Sequence, residues 1–194
     1  MLENHKVIRL VDLLETEDGE LFFNSLANSF LSINKDVEKF IKEKALQSVK
    51  LSTSSTYLVI SKERPLDLTG YFSLATKMLT LKRNVLSQTK ERIINRFGYF
   101  DVDSDSYKVP AILIAQLGRN FSSESSSISG SELIAITLRQ VKNILSYTSG
   151  KAVFLECEKK EKLINFYKQN GFSILDNEVL SKDKKELTQL YRLL

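Results

Sequence analysis

Tyr167 sits in Asn165-Phe166-Tyr167-Lys168-Gln169-Asn170-Gly171-Phe172, a run whose glycine is the residue type that ends helices in the left-handed conformation. A phenol with a pKa of about 10 keeps its proton at neutral pH and can donate it as a general acid. A tyrosine on the apolar side of a helix, beside Leu163, Ile164 and Phe166, also serves simply as a core residue. Tyr167→Phe keeps the ring and removes the proton, so it separates the two roles. Glu156 ends an apolar run and is a candidate base, although a surface glutamate looks the same in sequence. Cys157 beside it suggests an acyl-cysteine, but the sole histidine is the distant His5, and without a base to activate the thiol that route is rejected.

A second run, Ser129-Gly130-Ser131-Glu132, precedes Ile134, Leu138, Val141 and Leu145, which repeat at helical spacing. Serine followed three residues later by glutamate is a capping box, in which each side chain satisfies a backbone N–H at the start of the helix. Asp101-Val102-Asp103-Ser104-Asp105 has the look of a calcium loop. The motif needs glycine where Ser106 stands and glutamate where Ile112 stands, so it reads as a solvated loop.

The elements that must position these residues follow from hydrophobic periodicity. Val7–Val11 reads as a strand and 21–31 as a helix. Asn34 or Asp36 caps a further helix whose stripe is Val37, Phe40, Ile41, Ala45 and Val49. Thr56–Ser61 and Gly70–Leu79 form a hairpin across the turn at Arg64-Pro65-Leu66-Asp67, and a helix starts near Val85 and stops at Gly98. Pro110–Leu117 is apolar on both faces, as a central strand is. A serine-rich loop, the helix from Gly130 to Ser146, the strand Ala152–Glu156, the tyrosine helix and strands at 172–175 and 188–193 complete the chain.

The length of 194 residues fits one domain, and 42% hydrophobic residues suffice for an ordinary core. No apolar run approaches the ~20 residues that span a bilayer. The first six residues carry an acid and no apolar core, so they do not read as a secretion signal, and a cytoplasmic protein is expected. One cysteine excludes an internal disulfide, and one histidine argues against a zinc site. Lys82, Arg83, Lys90, Arg92 and Arg96 face only Glu91, an excess equal to the whole net charge of +4. The cluster is either a solvated helix face or a contact for a polyanion such as RNA.

The apolar run at Ala152–Cys157, the helix bearing Phe166-Tyr167, and Gly171-Phe172 opening a strand together resemble the C-terminal half of the GNAT superfamily of acyl-CoA-dependent N-acetyltransferases. The resemblance implies an α/β (α+β) single-domain fold with a mixed, mostly antiparallel twisted sheet flanked by helices. It further implies acetyl-CoA as cosubstrate, a primary amine as acceptor, and Tyr167 as the acid that protonates the departing thiolate. The family's phosphate loop reads Gln/Arg-x-x-Gly-x-Gly/Ala-x-x-Leu. Here Gly130 and Leu133-Ile134 fit, Ser125 replaces the Gln/Arg, and Ile128 replaces the first glycine. By the same resemblance Leu117, Gly118, Arg119, Ile128, Ser129, Gly130, Ser131 and Asn165 contact the cosubstrate, and no metal is needed.

Phe30–Ala45, Thr56–Val59, Gly70–Leu74 and Val109–Leu117 are similar to a subgroup that includes acetyltransferase toxins of toxin–antitoxin modules. Those toxins acetylate the amino group of aminoacyl-tRNA, which would make tRNA a partner and allows a homodimer. The departures at Ser125 and Ile128 leave an alternative: a non-enzymatic binding domain that kept the fold and lost the cosubstrate.

Overall fold

A run of β-branched and aromatic residues, Ser-Thr-Tyr-Leu-Val-Ile-Ser, makes strand β2 (Ser55–Ser61), with all but its first residue buried. It pairs antiparallel with β3 (Leu68–Lys82) from Ser55↔Leu74 to Ile60↔Leu68, and with β1 (His5–Arg9) on its other side. The computed structural model describes residues 4–63, 67–122, 128–180 and 186–194, with the backbone alone for 176–180. Arg64, Pro65 and Leu66 of the expected turn, and Ser125 of the expected loop, lie outside the described residues.

The remaining strands are β4 (Tyr99–Asp101), β5 (Ser106–Arg119), β6 (Ala152–Glu158), β7 (Ser173–Leu180) and β8 (Glu186–Leu193). Their order along the sheet is β1-β2-β3-β5-β6-β8-β7, with β4 paired to β5. The β5–β6 pair is parallel and is joined through the long helix α6 (Gly130–Thr148); β1–β2, β2–β3, β4–β5, β6–β8 and β7–β8 are antiparallel. The expected mixed, mostly antiparallel sheet flanked by helices is thus observed. A crossover through a helix is the connection that parallel neighbours require.

Two compact units divide the chain: Met1–Ala75 with Ala115–Arg139, and Thr76–Ile114 with Gln140–Leu194. In the first, Leu10 of α1 (Leu10–Leu14), Phe23 and Leu26 of α2 (Gly19–Ser29), Phe30 just after it, Ile41 between α3 (Lys35–Lys39) and α4 (Ala45–Lys50), and Ala45 of α4 share a core with Leu58, Ile60, Leu68 and Tyr71. Asn34 caps α3 by accepting from the Asp36 N–H at 2.9 Å. Between α3 and α4 a π-helical turn at Phe40–Lys44 keeps one continuous helix, and the Tyr71 hydroxyl donates to the Val37 carbonyl at 2.6 Å. In the second unit α5 (Gln88–Ile94), β4 and the facing strands enclose Leu79, Leu81, Ile94, Tyr107, Val109, Phe154 and Tyr191.

Two expectations are corrected, and the solvated loop at the aspartates is borne out. The first strand ends at Arg9 rather than Val11, because Leu10, Leu13 and Leu14 fall at helical spacing and Arg9 Nε bonds Asp12 Oδ1 at 3.0 Å. The helix expected from Val85 is one 3₁₀ turn at Arg83–Val85 followed by α5, whose start is fixed by Ser87 as its cap. The aspartate run is the turn of a hairpin between β4 and β5: Asp101 accepts from the Asp103 N–H and the Ser104 hydroxyl, and Asp105 takes a φ of 44°.

Candidate active site

The helix that carries Tyr167, α7 (Glu161–Gln169), belongs to the second unit and ends in a Schellman cap. The Phe172 N–H donates to the Tyr167 carbonyl at 3.1 Å and the Gly171 N–H to the Lys168 carbonyl at 3.0 Å, with Gly171 at φ +82°. Tyr167 is therefore the third residue from the cap, and Phe172 is the residue that the motif packs against it. Their rings meet edge to face at 5.9 Å, and Phe166 meets Tyr167 in the same way at 5.1 Å. The Phe-Tyr-x-x-x-Gly-Phe pattern is thus, first of all, the chemistry of a helix end.

What the cap leaves over is the phenol. Tyr167 is 8% exposed, and its hydroxyl has no hydrogen-bond partner among the described residues. Desolvation, and behind it the nearby Cys157 thiol, raise its pKa above the ordinary tyrosine value, so the proton stays on. Burial, followed by Glu158, pushes the Cys157 thiol up to about 11, which agrees with the rejection of a cysteine route. Asn165 is exposed on the same helix. Glu156 is exposed on β6 and accepts from Gln189 Nε2 of the facing β8 residue at 3.1 Å. Gln189, nearly buried on a strand that otherwise reads as apolar alternation, was missed in the sequence.

The strand ahead of α7 carries the second feature. The parallel register of β5 and β6 runs from Ala111↔Ala152 to Ile114↔Leu155 and stops. Yet β5 continues to Arg119, and β6 continues to Glu158 on its β8 side only. The β5-side edge of β6 beyond Leu155 is left with unpaired backbone groups among the described residues.

The other candidates lie in the first unit. A Cβ at Gly118 would stand 2.5 Å from Val37 Cγ1 and 2.8 Å from Tyr71 Cε1, so core packing by itself demands a glycine there. Across from it, a Cβ at Gly70 would stand 2.9 Å from the Gly118 carbonyl oxygen and 3.3 Å from Leu133 Cδ1. The end of β5 and the first turn of α6 are thereby brought together. Leu117 is half-buried; the Arg119 guanidinium lies 4.8 Å over the Phe121 ring, with its Nε buried and without a partner among the described residues. Asn120, missed in the sequence, ties the strand end down: it donates to the Leu68 carbonyl at 2.8 Å and accepts from the Leu31 N–H at 3.0 Å. A buried polar residue after Gly-Arg was its only sequence signal.

At the start of α6 the capping box is formed. The Glu132 N–H donates to Ser129 Oγ at 3.1 Å and the Ser129 N–H to Glu132 Oε2 at 2.9 Å. Those bonds hold the Glu132 pKa below its ordinary value. Ile128 is 1% exposed and anchors the start of α6 in the core. The amides of Gly130 and Ser131 have no acceptor among the described residues, and two such donors at a helix N-terminus suit an anion.

The basic run is not one face. Lys90 points inward, donating to the Tyr191 hydroxyl at 2.9 Å, and Arg83 pairs with Glu91 at 3.0 Å. Lys82, Arg92 and Arg96 stay exposed and form no ion pair among the described residues. Among the described residues no cluster of side chains could hold a metal ion, and no helix is long and apolar enough to cross a membrane.

With that geometry in place, the solved structures decide the fold. AtaT complexed with acetyl-methionyl-tRNAfMet matches 95% of this chain with 94% of its own, at a TM-score of 0.64 and 16% identity. A tyrosine-to-phenylalanine mutant of KacT matches 95% with 94% of its own, at a TM-score of 0.64 and 17% identity. The chain has the fold of AtaT and KacT. A further structure, AtaTR bound with AcCoA, matches 96% of the chain with 93% of its own, at a TM-score of 0.56 and 13% identity. No protein-family model matches the sequence, and no curated protein matches it. The likeness in fold therefore extends along nearly the whole chain.

Proposed function

We propose that the chain is an N-acetyltransferase that moves an acetyl group from acetyl-CoA directly to a primary amine. The observation that carries this is the break in the β5–β6 pairing after Ile114↔Leu155, which frees a strand edge for the amide-rich pantetheine arm. In the first unit, the start of α6 has donors of the kind a pyrophosphate needs. The Gly130 and Ser131 amides, with Ser129 and Ile128 shaping the loop, would hold the pyrophosphate at the positive end of α6. The Glu132 carboxylate is turned back onto the Ser129 N–H rather than left free. The backbone at Leu117, Gly118 and Arg119 would meet the pantetheine, and Asn165 would contact it from α7.

Bound acetyl-CoA supplies the activated thioester. Tyr167 gives its phenolic proton to the sulfur as the carbon–sulfur bond breaks. The acceptor amine, now bonded to the acetyl carbon, loses its proton through water, and the phenol is reprotonated from solvent. Backbone amides stabilise the carbonyl oxygen, and proximity of amine and thioester supplies much of the rate. AtaTR bound with AcCoA supports the cosubstrate.

For the acceptor we favour aminoacyl-tRNA, on exposed Lys82, Arg92 and Arg96 with exposed Tyr99 nearby in sequence, and on AtaT complexed with acetyl-methionyl-tRNAfMet. Both substrates belong to the cytoplasm, which is where the protein would act. A second reading, a binding domain without acetyl-CoA, is favoured by the capping box, which satisfies the helix start with no ligand.

Calorimetric titration with acetyl-CoA tests the proposal, with Gly130→Asp as control. An aspartate in the first turn suits the helix dipole, so the variant folds, while its charge repels a pyrophosphate. Saturable heat that the aspartate removes is expected. No heat from the parent protein at high concentration would leave the binding-domain reading.

A further inference from the structure

Arg192, on β8 opposite Val153 of β6, reaches the end of the tyrosine helix. Its Nη1 donates to the carbonyl of Asn170, the cap residue of α7, at 2.7 Å. Its guanidinium also lies under the turn: a Cβ at Gly171 would stand 3.1 Å from Cζ and Nη1. The last carbonyls of a helix have no intrahelical donor and carry the negative end of its dipole, so a cation bonded there fixes the cap in two ways. Tyr167 is part of the same cap, its carbonyl accepting from the N–H groups of Asn170 at 3.0 Å and Phe172 at 3.1 Å.

We propose that Arg192 is a positioning residue for Tyr167: tied to β8, it holds the α7 cap and through it the phenol in the pose for proton donation. The inference rests on the acetyl-transfer reading of Tyr167. A planar fork can lie flat against Gly171 while donating to Asn170, whereas lysine offers the bond without the flat contact, so Arg192→Lys restores only part of the effect.

Turnover is measured as thiol release from acetyl-CoA, with total aminoacylated tRNA as acceptor. Arg192→Ala lowers kcat about tenfold with the KM for acetyl-CoA unchanged, since small misplacements of a reacting group are costly. Arg192→Lys recovers part of the loss, and in the Tyr167→Phe background Arg192→Ala costs nothing more. An equal further loss in that background overturns the inference and leaves the acetyl-transfer reading standing. Turnover undiminished by Tyr167→Phe overturns both. A second measurement does not depend on turnover: in ¹³C-tyrosine NMR spectra the Tyr167 resonance, identified by its absence from Tyr167→Phe, shifts in Arg192→Ala and returns toward its place in Arg192→Lys. A Tyr167 resonance that Arg192→Ala leaves in place overturns the inference.

Discussion

The two helix ends singled out by their sequences, the start of α6 and the end of α7, are both complete caps, but they leave different groups over. At α6 two side chains close the cap, Ser129 and Glu132, and what remains among the described residues is a pair of backbone amides. At α7 the backbone closes the cap around Gly171, and what remains is a side chain, the Tyr167 phenol, which has no partner among the described residues. A cap and a site are therefore not rival explanations of one motif. The cap immobilises the backbone, and the group it does not consume is the one available for chemistry.

The sharpest way to break the comparison is to remove the leftover group at α7 and keep the cap. Tyr167→Phe retains both ring contacts and should lower kcat by about 10²–10⁴-fold, the range of general-acid catalysis, with unfolding in urea and the KM for acetyl-CoA little changed. A loss of stability without a loss of kcat would reduce Tyr167 to a core residue. Removing the cap and keeping the phenol is the next largest change. Gly171→Ala forces φ +82° on an L-residue and sets its Cβ against Arg192. Left-handed alanine costs about 1–2 kcal/mol, to be read from urea midpoints. Activity should fall as well, since the phenol moves with the cap.

At α6 the leftover amides cannot be deleted by mutation, so the cap itself is changed. Ser129→Ala should cost about 1 kcal/mol of stability. Because the Gly130 and Ser131 amides remain, acetyl-CoA binding should weaken less than in Gly130→Asp when the two are titrated side by side. Equal loss in both would mean that the serine hydroxyl, rather than the amides, is what a ligand meets.

Most of this architecture was legible in the sequence because it rests on local rules. The Ser129–Glu132 spacing gave the capping box, Asn34 or Asp36 was expected to cap α3 and Asn34 does, and the doubly apolar run at Pro110–Leu117 gave a central strand. What was not legible depends on distant partners. Nothing local says that Lys90 turns in toward Tyr191 while Arg92 and Arg96 stay in solvent, or that Arg192 reaches Asn170. Gly118 was readable as a place of close backbone approach; that Val37 and Tyr71, about 80 and 50 positions earlier in the chain, occupy the space a Cβ would need was not. Ile128 looked like a defect in a glycine loop and is a core anchor.

The two ends should also fail at opposite extremes of pH, and this is the smallest effect and the finest test. Glu132 has its pKa lowered in the folded chain by its bonds to Ser129, so the stability it contributes is present above the ordinary glutamate value and is lost as pH falls through the lowered one. Tyr167 has its pKa raised by burial, so the folded chain holds the phenolic proton after the unfolded chain has released it, and stability falls as pH rises past about 10. Amide hydrogen exchange, corrected for the intrinsic pH dependence, resolves the two. Protection at Glu132 and Leu133 should weaken first in acid, while Phe172, whose N–H closes the α7 cap, stays protected there and weakens first in alkali. Ser129→Ala, which keeps the backbone N–H bonded to Glu132, should reduce the acid weakening at α6 and leave Phe172 untouched; Tyr167→Phe should abolish the alkaline weakening at α7 and leave Glu132 untouched. If one substitution altered both ends, the caps would be parts of a single cooperative unit, and the leftover amides and the leftover phenol could no longer be treated as separately built.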